Sequence, residues 1–487
     1  MNGEENVEEK KTDIISYISR LLPAVEKPLY KQSFNTRMKW TGVALLLYLI
    51  LSFIGIYGIS ATSKESLRFY EILMGAKFGS LMTLGIGPIV TAGIILQLLV
   101  GSKILKWDMT RTESRRKFQL WDKILAIAFS FIEATAYILA GAVQVIGGGP
   151  IIIFAIFQLA LGGIIVIFLD ELVTKWGFGS GVSLFIAAGV TMQILIGALS
   201  PFAGTCKALY LDIASCLPSE ANPPSGYLWK GLIDLLGGNF KESLVSFTHI
   251  FSTIMVFLVV VYAQGIKVDV PLAFSALRGF GRNWSLKLFY TSNIPVILAA
   301  ALLANFQLMG RFGIAPDQFG NSCGPFGCFN QQGQAISGIV YFLSSPRNLL
   351  VDVITQSIVP IEILRAISYL IVLTAMAVMF SVFWVNTSGM DPKSVAEQIE
   401  GIGMQIPGYR RDPRIVESVL KRYIPALAVL GGLAIGLLAA FADFTGALGT
   451  GTGILLTVMI IYNYYEELSN QNLEEAHPIF RKILGEE

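Results

Sequence analysis

Charged residues are scarce in this 487-residue chain: Asp, Glu, Lys and Arg together make up 14% of it, against roughly 25% in an average soluble domain. Hydrophobic residues make up 54%, and the mean hydropathy is +0.63. These values exclude an ordinary soluble protein and indicate a membrane protein with several spans. The net charge is only +2, so composition alone indicates no nucleic-acid or acidic partner.

Histidine and cysteine are also rare, with two and four copies, and the two histidines are His249 and His477. The sequence lacks an HExxH zinc motif, a GxxxxGK[ST] phosphate loop, and any pair of acids whose spacing makes them face each other within one span. These sets carry metal-dependent, nucleotide-dependent and carboxylate-based catalysis. The sequence therefore predicts a protein that is not an enzyme and holds no metal or cofactor.

Long apolar runs occupy much of the chain. A helix that crosses about 30 Å of hydrocarbon needs roughly 20 apolar residues, whereas a barrel strand needs about half as many and alternates polar with apolar positions. The runs therefore predict an all-α membrane protein with ten transmembrane helices. They are Trp40–Ile59, Phe78–Val100, Lys123–Ile146, Pro150–Leu169, Ser183–Leu199, Leu244–Ala263, Tyr290–Met309, Ile361–Trp384, Ile424–Phe444 and Ala447–Tyr465.

The placement of positive charge predicts the orientation. With the N-terminus in the cytosol, the cytosolic segments contain 27 of the 36 Lys and Arg residues and the external loops contain 8. The positive-inside rule then puts both termini in the cytosol and the protein in the cell membrane. The predicted units are a cytosolic segment over 1–39, helices one to five over 40–243, helices six to ten over 244–465, and a cytosolic tail over 466–487. Ile14, Ile18 and Leu22 suit either a helix on the membrane surface or an ordinary packing helix.

The two sets of five helices share a weak internal sequence similarity. Gly87–Val90 leads to Gln97 in run two, and Ile294–Ile297 leads to Gln307 in run seven. Because five is an odd number, matching helices of the two sets would cross the membrane in opposite directions. This pattern predicts two inverted halves around a central pathway, although Pro kinks in two unrelated helices would look the same.

All four cysteines fall in predicted external loops, Cys206 and Cys216 in one and Cys323 and Cys328 in another. Two pairs on the oxidising side of the membrane favour disulfides within the loops. A shared four-thiolate metal site and free thiols are the alternatives.

Polar side chains inside the predicted spans are few, and Glu133 is the acid among them. A carboxyl group at this depth is costly unless it faces other helices or water. Glu133 can hold helices together through a hydrogen bond. Alternatively, it can be a polar latch, and breaking its hydrogen bond would open a seam between helices.

Two predicted cytosolic loops have basic tips, one with Arg278 and Arg282, the other with Arg410 and Arg411. This charge can serve topology alone, or contact phosphates such as those of ribosomal RNA. Outside the membrane, Ser63–Met74 is too short and too charged to span. It can be a half-helix folded back into an external funnel, or a surface helix.

Several motifs of this sequence resemble those of the SecY family, the channel subunit of the Sec protein translocase, and most of all its archaeal and eukaryotic branch. The resemblance covers nearly all of residues 28–480. The motifs are Thr83–Gly93, Gly179–Gly181, Ser292–Ile297, Asp391–Lys393, Leu420–Pro425 and Gly446–Gly449.

The resemblance implies two five-helix halves around an hourglass pore, with a lateral gate between helices two and three on one side and seven and eight on the other. Ser63–Met74 would be an external plug. The gate would contain Thr91, Glu133 and Asn305, and the ribosome would dock on Arg278, Arg282, Arg410 and Arg411. The pore ring would consist of Ile86, Val90, Val182, Ile186, Ile297 and Leu456.

The implied function is the passage of unfolded polypeptides through the ring and the release of membrane segments sideways into lipid. The implied partners are small single-span Sec subunits (SecE/gamma-like and beta-like), the ribosome, signal peptides and nascent chains. A secondary solute transporter is the alternative, favoured by the inverted repeat and by Glu133 as a proton site. An intramembrane enzyme ranks third.

Overall fold

The structure is a computed structural model, and it is mostly helical. The residues that it describes are 23–30, 32–59, 79–105, 107, 109, 111–140, 143, 145–202, 218, 223–274, 281–310, 315–316, 322–330, 334–346, 349–401, 404–405 and 413–470.

Helices follow the apolar runs closely. Each run contains one long helix, and α4, α5, α7, α11 and α13 are apolar and long enough to cross a membrane, while α2 and α8 are shorter apolar helices. The helices are α1 (Phe34–Phe53), α2 (Gly87–Gly101), α3 (Thr112–Leu139), α4 (Gly149–Trp176), α5 (Gly181–Leu199), α6 (Tyr227–Leu236), α7 (Phe240–Gln264), α8 (Ile294–Met309), α9 (Ile339–Phe342), α10 (Leu349–Ile354), α11 (Pro360–Thr387), α12 (Pro392–Gly401), α13 (Pro413–Phe444) and α14 (Gly451–Asn470).

Helices α2 and α3 leave part of their apolar runs outside the helix. Helix α2 begins at Gly87 rather than near Phe78, because the preceding stretch turns through Gly79 and Gly85, whose φ angles of 85° and 51° interrupt a right-handed helix. Helix α3 ends at Leu139. Beyond it, Val145 forms an isolated antiparallel bridge with Ile59. Hydrophobicity alone could not separate these turns from the helices.

Two small sheets correct the expectation of an all-α chain. One has the strand order β2-β1-β7 and the other β3-β4-β5-β6, all antiparallel. The β1 sequence KVDVPLAF has an apolar residue at every second position, which is the strand pattern. The strands are β1 (Lys267–Phe274), β2 (Gly281–Lys287), β3 (Ala315–Pro316), β4 (Ser322–Gly324), β5 (Gly327–Phe329), β6 (Ala335–Gly338) and β7 (Met404–Gln405).

Small residues allow the helices to pack closely. A methyl group added to Gly432 would lie 2.9 Å from the Cα of Val378, and one added to Gly436 would lie 2.8 Å from the Cα of Thr374. These contacts join α13 to α11 at backbone distance, as is common between membrane helices. Helix α2 packs on both α8 and α11, and α14 packs on α5, α7 and α13.

An acid near the end of one helix caps the next helix at two places in the chain. Asp170 of α4 accepts the backbone N–H of Val182 in α5 at 2.9 Å. Asp443 of α13 accepts the N–H of Thr452 in α14 at 2.8 Å and also its hydroxyl at 2.5 Å. Both bonds satisfy a free N–H group in the first turn of a helix.

Each capped helix also starts with a glycine pressed against the preceding helix. A Cβ on Gly181 would lie 2.6 Å from the Cα of Asp170, and a Cβ on Gly451 would collide with the backbone of Ala442. The same acid and glycine arrangement therefore fixes the starts of α5 and α14, the fifth and tenth apolar runs.

Candidate functional site

The six residues predicted to form a pore ring belong to one continuous cluster of apolar side chains. They come from four helix starts, those of α2, α5, α8 and α14, which the folded chain brings into this cluster. Val182 is half-buried and packs against the cluster. The other five are buried: Ile86, Val90, Ile186, Ile297 and Leu456.

Local sequence explains why helices begin at the cluster. Pro88 and Pro295 stand in the first turns of α2 and α8, where a proline suits the helix because no N–H partner is needed. Gly181 and Gly451 open α5 and α14 against the capping helices. Each ring residue consequently lies just before its helix or within its first two turns. Branched aliphatic groups at this point offer no polar atom to an ion or to water.

The three predicted gate residues form one hydrogen-bonded chain across three helices. The Asn305 amide in α8 donates to the Thr91 hydroxyl in α2 at 3.2 Å. The Thr91 hydroxyl donates to Glu133 Oε1 in α3 at 2.6 Å. The residues are 42 and 214 positions apart in sequence, so the chain joins the first set of five helices to the second.

Glu133 is the buried acid of this hydrogen-bonded connection, with 8% of its surface exposed. Its second carboxylate oxygen, Oε2, is buried and has no hydrogen-bond partner among the residues that the structure describes. An unsatisfied buried oxygen costs free energy. The connection therefore stabilises the contact between these helices less than a fully bonded carboxylate would.

The strands next to the two predicted basic loops belong to one sheet. Strand β1 pairs with β2 and, at its end, with β7: Ala273 lies opposite Gln405, and Phe274 opposite Met404. Arg282 is in β2 opposite Leu272. The other three arginines, Arg278, Arg410 and Arg411, lie outside the described residues. The strands that precede these two basic segments, β1 and β7, are therefore paired with each other.

The prediction of a disulfide within a loop is confirmed for one pair. Cys323 in β4 and Cys328 in β5 are opposite each other and are bonded, with an S–S distance of 2.08 Å. This bond removes both thiols from the alternative of a shared metal site. Cys206 and Cys216 lie outside the described residues, as do the predicted plug Ser63–Met74 and the N-terminal helix.

Sequence reasoning gave no role to Arg365, near the start of α11. Its guanidinium donates to the carbonyl and the hydroxyl of Ser344, both at 2.8 Å, and pairs with Glu362 at 3.2 Å. Tyr341 of α9 donates to Glu362 at 2.7 Å. Burial, and after it Glu362, raises the pKa of the Tyr341 hydroxyl, which therefore stays a donor. The sequence feature that could have predicted this connection between α9 and α11 is the single Arg near the start of an apolar run.

The chain is similar to known proteins over nearly its whole length. The SecY family model matches residues 80–465. The protein translocase subunit SecY of Methanocaldococcus jannaschii is 42% identical over 469 residues, covering 95% of this chain and 98% of the relative. That of Pyrococcus furiosus is 42% identical over 478 residues, covering 97% and 99%.

Solved structures give the same result. A structure described as a protein conducting channel is 42% identical, with a TM-score of 0.79 over 96% of this chain and 99% of that chain. A Sec61 structure from the canine ribosome-channel complex is 42% identical, with a TM-score of 0.76 over the same shares. The family match, the identity and the shared fold agree: this chain belongs to the SecY family.

Proposed function

We propose that this chain is the channel-forming subunit of a protein translocase, which passes unfolded polypeptides across the membrane and releases membrane segments sideways into lipid. The observation that carries the proposal is that six aliphatic residues at the starts of four helices all belong to or pack against the main apolar core, beside a polar connection between the two sets of helices. Relatives at about 42% identity are named protein translocase subunits. Similar solved structures are described as protein-conducting channels.

The ring Ile86, Val90, Val182, Ile186, Ile297 and Leu456 acts as an adjustable seal. A substrate of any sequence has no fixed pattern of polar groups for a pore to bind, so its narrowest point must be apolar and deformable. Without a substrate, a narrow apolar ring excludes water and makes the passage of a bare ion costly. With a substrate, the side chains close around the polypeptide.

Thr91, Glu133 and Asn305 form the latch of the lateral gate. Their hydrogen bonds join α2 and α3 to α8, and α2 also packs on α11. Breaking the latch would let a polypeptide segment in the pore reach lipid. A Leu, Ile, Phe or Val at the centre of such a segment gains about 0.3–0.6 kcal/mol by entering lipid, whereas Asp, Lys or Arg costs about 2.5–3.5. Partitioning would thereby separate membrane helices from secreted segments.

The chain would cross the membrane ten times in two inverted halves, 40–243 and 244–465, with both termini in the cytosol. Ten helices that follow the ten apolar runs support this topology. The capping acids Asp170 and Asp443 support the repeat, because each ties the fifth helix of its half to the fourth. The segment 63–74 would be the plug, consistent with a similar solved structure that concerns the plug domain of SecY.

The cytosolic partner would be the ribosome, docked on Arg278, Arg282, Arg410 and Arg411. The pairing of β1 with β7, the strands that precede the two basic segments, supports a single docking surface. A similar solved structure is Sec61 in a ribosome-channel complex. Small single-span SecE/gamma-like and beta-like subunits would complete the assembly.

Reconstitution into proteoliposomes tests the function. We expect ribosomes that synthesise a preprotein to deliver it into vesicles that contain the complex, where it is protected from added protease. Empty vesicles and vesicles with an unrelated membrane protein are the controls. Proton-coupled uptake of a small solute without passage of the preprotein would instead favour the transporter, which neither the relatives nor the similar structures described above support.

A further inference from the structure

The connection between α5 and α7 contains a helix with its apolar side facing outward. Helix α6 has the sequence YLWKGLIDLL. Its half-buried positions include Lys230 and Asp234, and Gly231 is buried. The exposed large apolar residues are Trp229, Leu232, Ile233, Leu235 and Leu236. A helix on the surface of a water-soluble body has the opposite arrangement, with charges outward and apolar residues inward.

Contacts with α7 fix this orientation. The Ser243 hydroxyl donates to the carbonyl of Gly231 at 2.9 Å. A Cβ on Gly231 would lie 3.2 Å from the Phe247 ring. The Tyr227 ring lies 4.6 Å from the His249 ring, centre to centre. Residue numbers rise along α6 as they fall along α7, so the two helices are antiparallel, and the side of α6 with Gly231 faces α7.

The position of Tyr227 along α7 gives the depth of α6. His249 is five residues beyond Leu244, where the apolar run of α7 begins. At 1.5 Å per residue the start of α6 is level with a point about 7.5 Å inside that run. The Trp229 indole donates to the carbonyl of Leu199, the last residue of α5, at 2.9 Å. Helix α6 therefore starts level with the end of α5 and runs beside the first turns of α7.

The outward side of α6 also continues the outward side of α7. Leu236 is 88% exposed, and the exposed apolar residues continue through Phe240 and Leu244 to Phe251 and Leu258. In a membrane protein this part of α7 faces acyl chains. A tryptophan with a satisfied N–H and an exposed ring suits the boundary between headgroups and acyl chains.

We propose that α6 is embedded in the membrane leaflet at the N-terminal end of α7, with its apolar side in contact with lipid acyl chains. In the proposed orientation this is the outer leaflet. The connection between the two sets of five helices is then anchored in lipid and is not a loop in water. The proposal rests on the chain being a membrane protein and does not depend on which substrate passes through it.

Spin labels test which medium surrounds the helix. Trp229→Cys and Leu232→Cys are introduced singly into a chain whose four native cysteines are serines. The complex is purified with its copurifying subunits and placed in phosphatidylcholine and phosphatidylglycerol vesicles. Collision rates with oxygen, which concentrates in lipid, and with a water-soluble nickel complex are measured. Phe251→Cys on α7 is the lipid-facing control, and the exposed Glu242→Cys is the water-facing control.

We expect the oxygen-to-nickel ratio at both α6 positions to match Phe251→Cys and to exceed Glu242→Cys several-fold. A ratio like that of Glu242→Cys would overturn the proposal, because water would then cover the helix. Low collision rates with both reagents would also overturn it, since a protein partner would then cover this side.

A second measurement avoids the cysteine changes, which could disturb the loop with the Cys323–Cys328 disulfide. The fluorescence of Trp229 is obtained by subtracting the emission of the Trp229→Phe variant from that of the unchanged chain. Lipids with bromine on the acyl chains should quench this difference signal several-fold more than lipids with bromine on the headgroup. Equal or weaker quenching by the acyl bromines would contradict the proposal, while preprotein passage in the same vesicles reports separately on the proposed function.

Discussion

At the scale of single residues, the proposed ring can be tested by comparing two neighbouring leucines, one assigned to the ring and one not. Leu455 and Leu456 are both 0% exposed and adjacent in α14, but they point about 100° apart around the helix. Only Leu456 is assigned to the ring. The pair therefore separates sealing from packing, because both substitutions remove the same apolar group from an equally buried position.

We predict that Leu456→Ser raises the resting ion conductance of the channel in planar bilayers several-fold, because a hydroxyl and a smaller side chain let water into the constriction. Leu455→Ser should lower the thermal unfolding midpoint to a similar degree, since both leave a cavity and bury a hydroxyl, and should leave conductance unchanged. Equal increases in conductance for the two variants would mean that either substitution loosens the helix bundle. The assignment of Leu456 to the pore ring would then be wrong.

At the scale of helices, α5 and α14 start where a glycine lies against the backbone of the preceding helix. We predict that Gly451→Ala and Gly181→Ala each destabilise the protein by about 1–3 kcal/mol, the usual cost of overpacking, because the new methyl group meets the backbone of Ala442 or of Asp170. The measurement is the thermal unfolding midpoint in detergent.

Gly42→Ala in α1 is the matched control, because nothing lies within 4 Å of the position that its methyl group would occupy. An alanine in a helix interior is favoured over glycine by about 0.5–1 kcal/mol, so this variant should keep or raise the midpoint. A normal midpoint for Gly451→Ala would show that the start of α14 can shift, and the proposed matching of α5 with α14 would lose its support.

The sequence predicted these helices better than their connections. All ten apolar runs contain a helix, since twenty apolar residues in succession leave few alternatives in a membrane. The start of α2 at Gly87 and the helix α6 were missed, because hydrophobicity does not distinguish a turn from a helix or an inserted helix from a loop. The β1 alternation was present in the sequence but was hidden by the expectation of an all-α chain.

At the scale of the whole molecule, tertiary contacts decide what the sequence left open. Thr91, Glu133 and Asn305 were named through family resemblance, and no spacing in the sequence could have placed Asn305 at 3.2 Å from Thr91. Through this connection Glu133 forms a hydrogen bond between helices, which is one of the two roles predicted for it. Whether it also acts as a latch stays a prediction, as do the plug and the ribosome surface on residues outside the described part of the chain.

The basic surface can be tested on the whole complex with intact ribosomes. We predict that Arg410→Glu with Arg411→Glu weakens ribosome binding and lowers the slope of log K against log salt by about 1 for each phosphate that the variant no longer binds. Binding is measured by cosedimentation at several salt concentrations. Lys241→Glu, an exposed basic position at the start of α7, is the control for a charge reversal elsewhere in the chain and should leave both affinity and slope unchanged, because the proposed orientation places it on the external side. If the arginine variant binds with the wild-type slope, Arg410 and Arg411 do not bind phosphate and their charge serves only to orient the chain in the membrane.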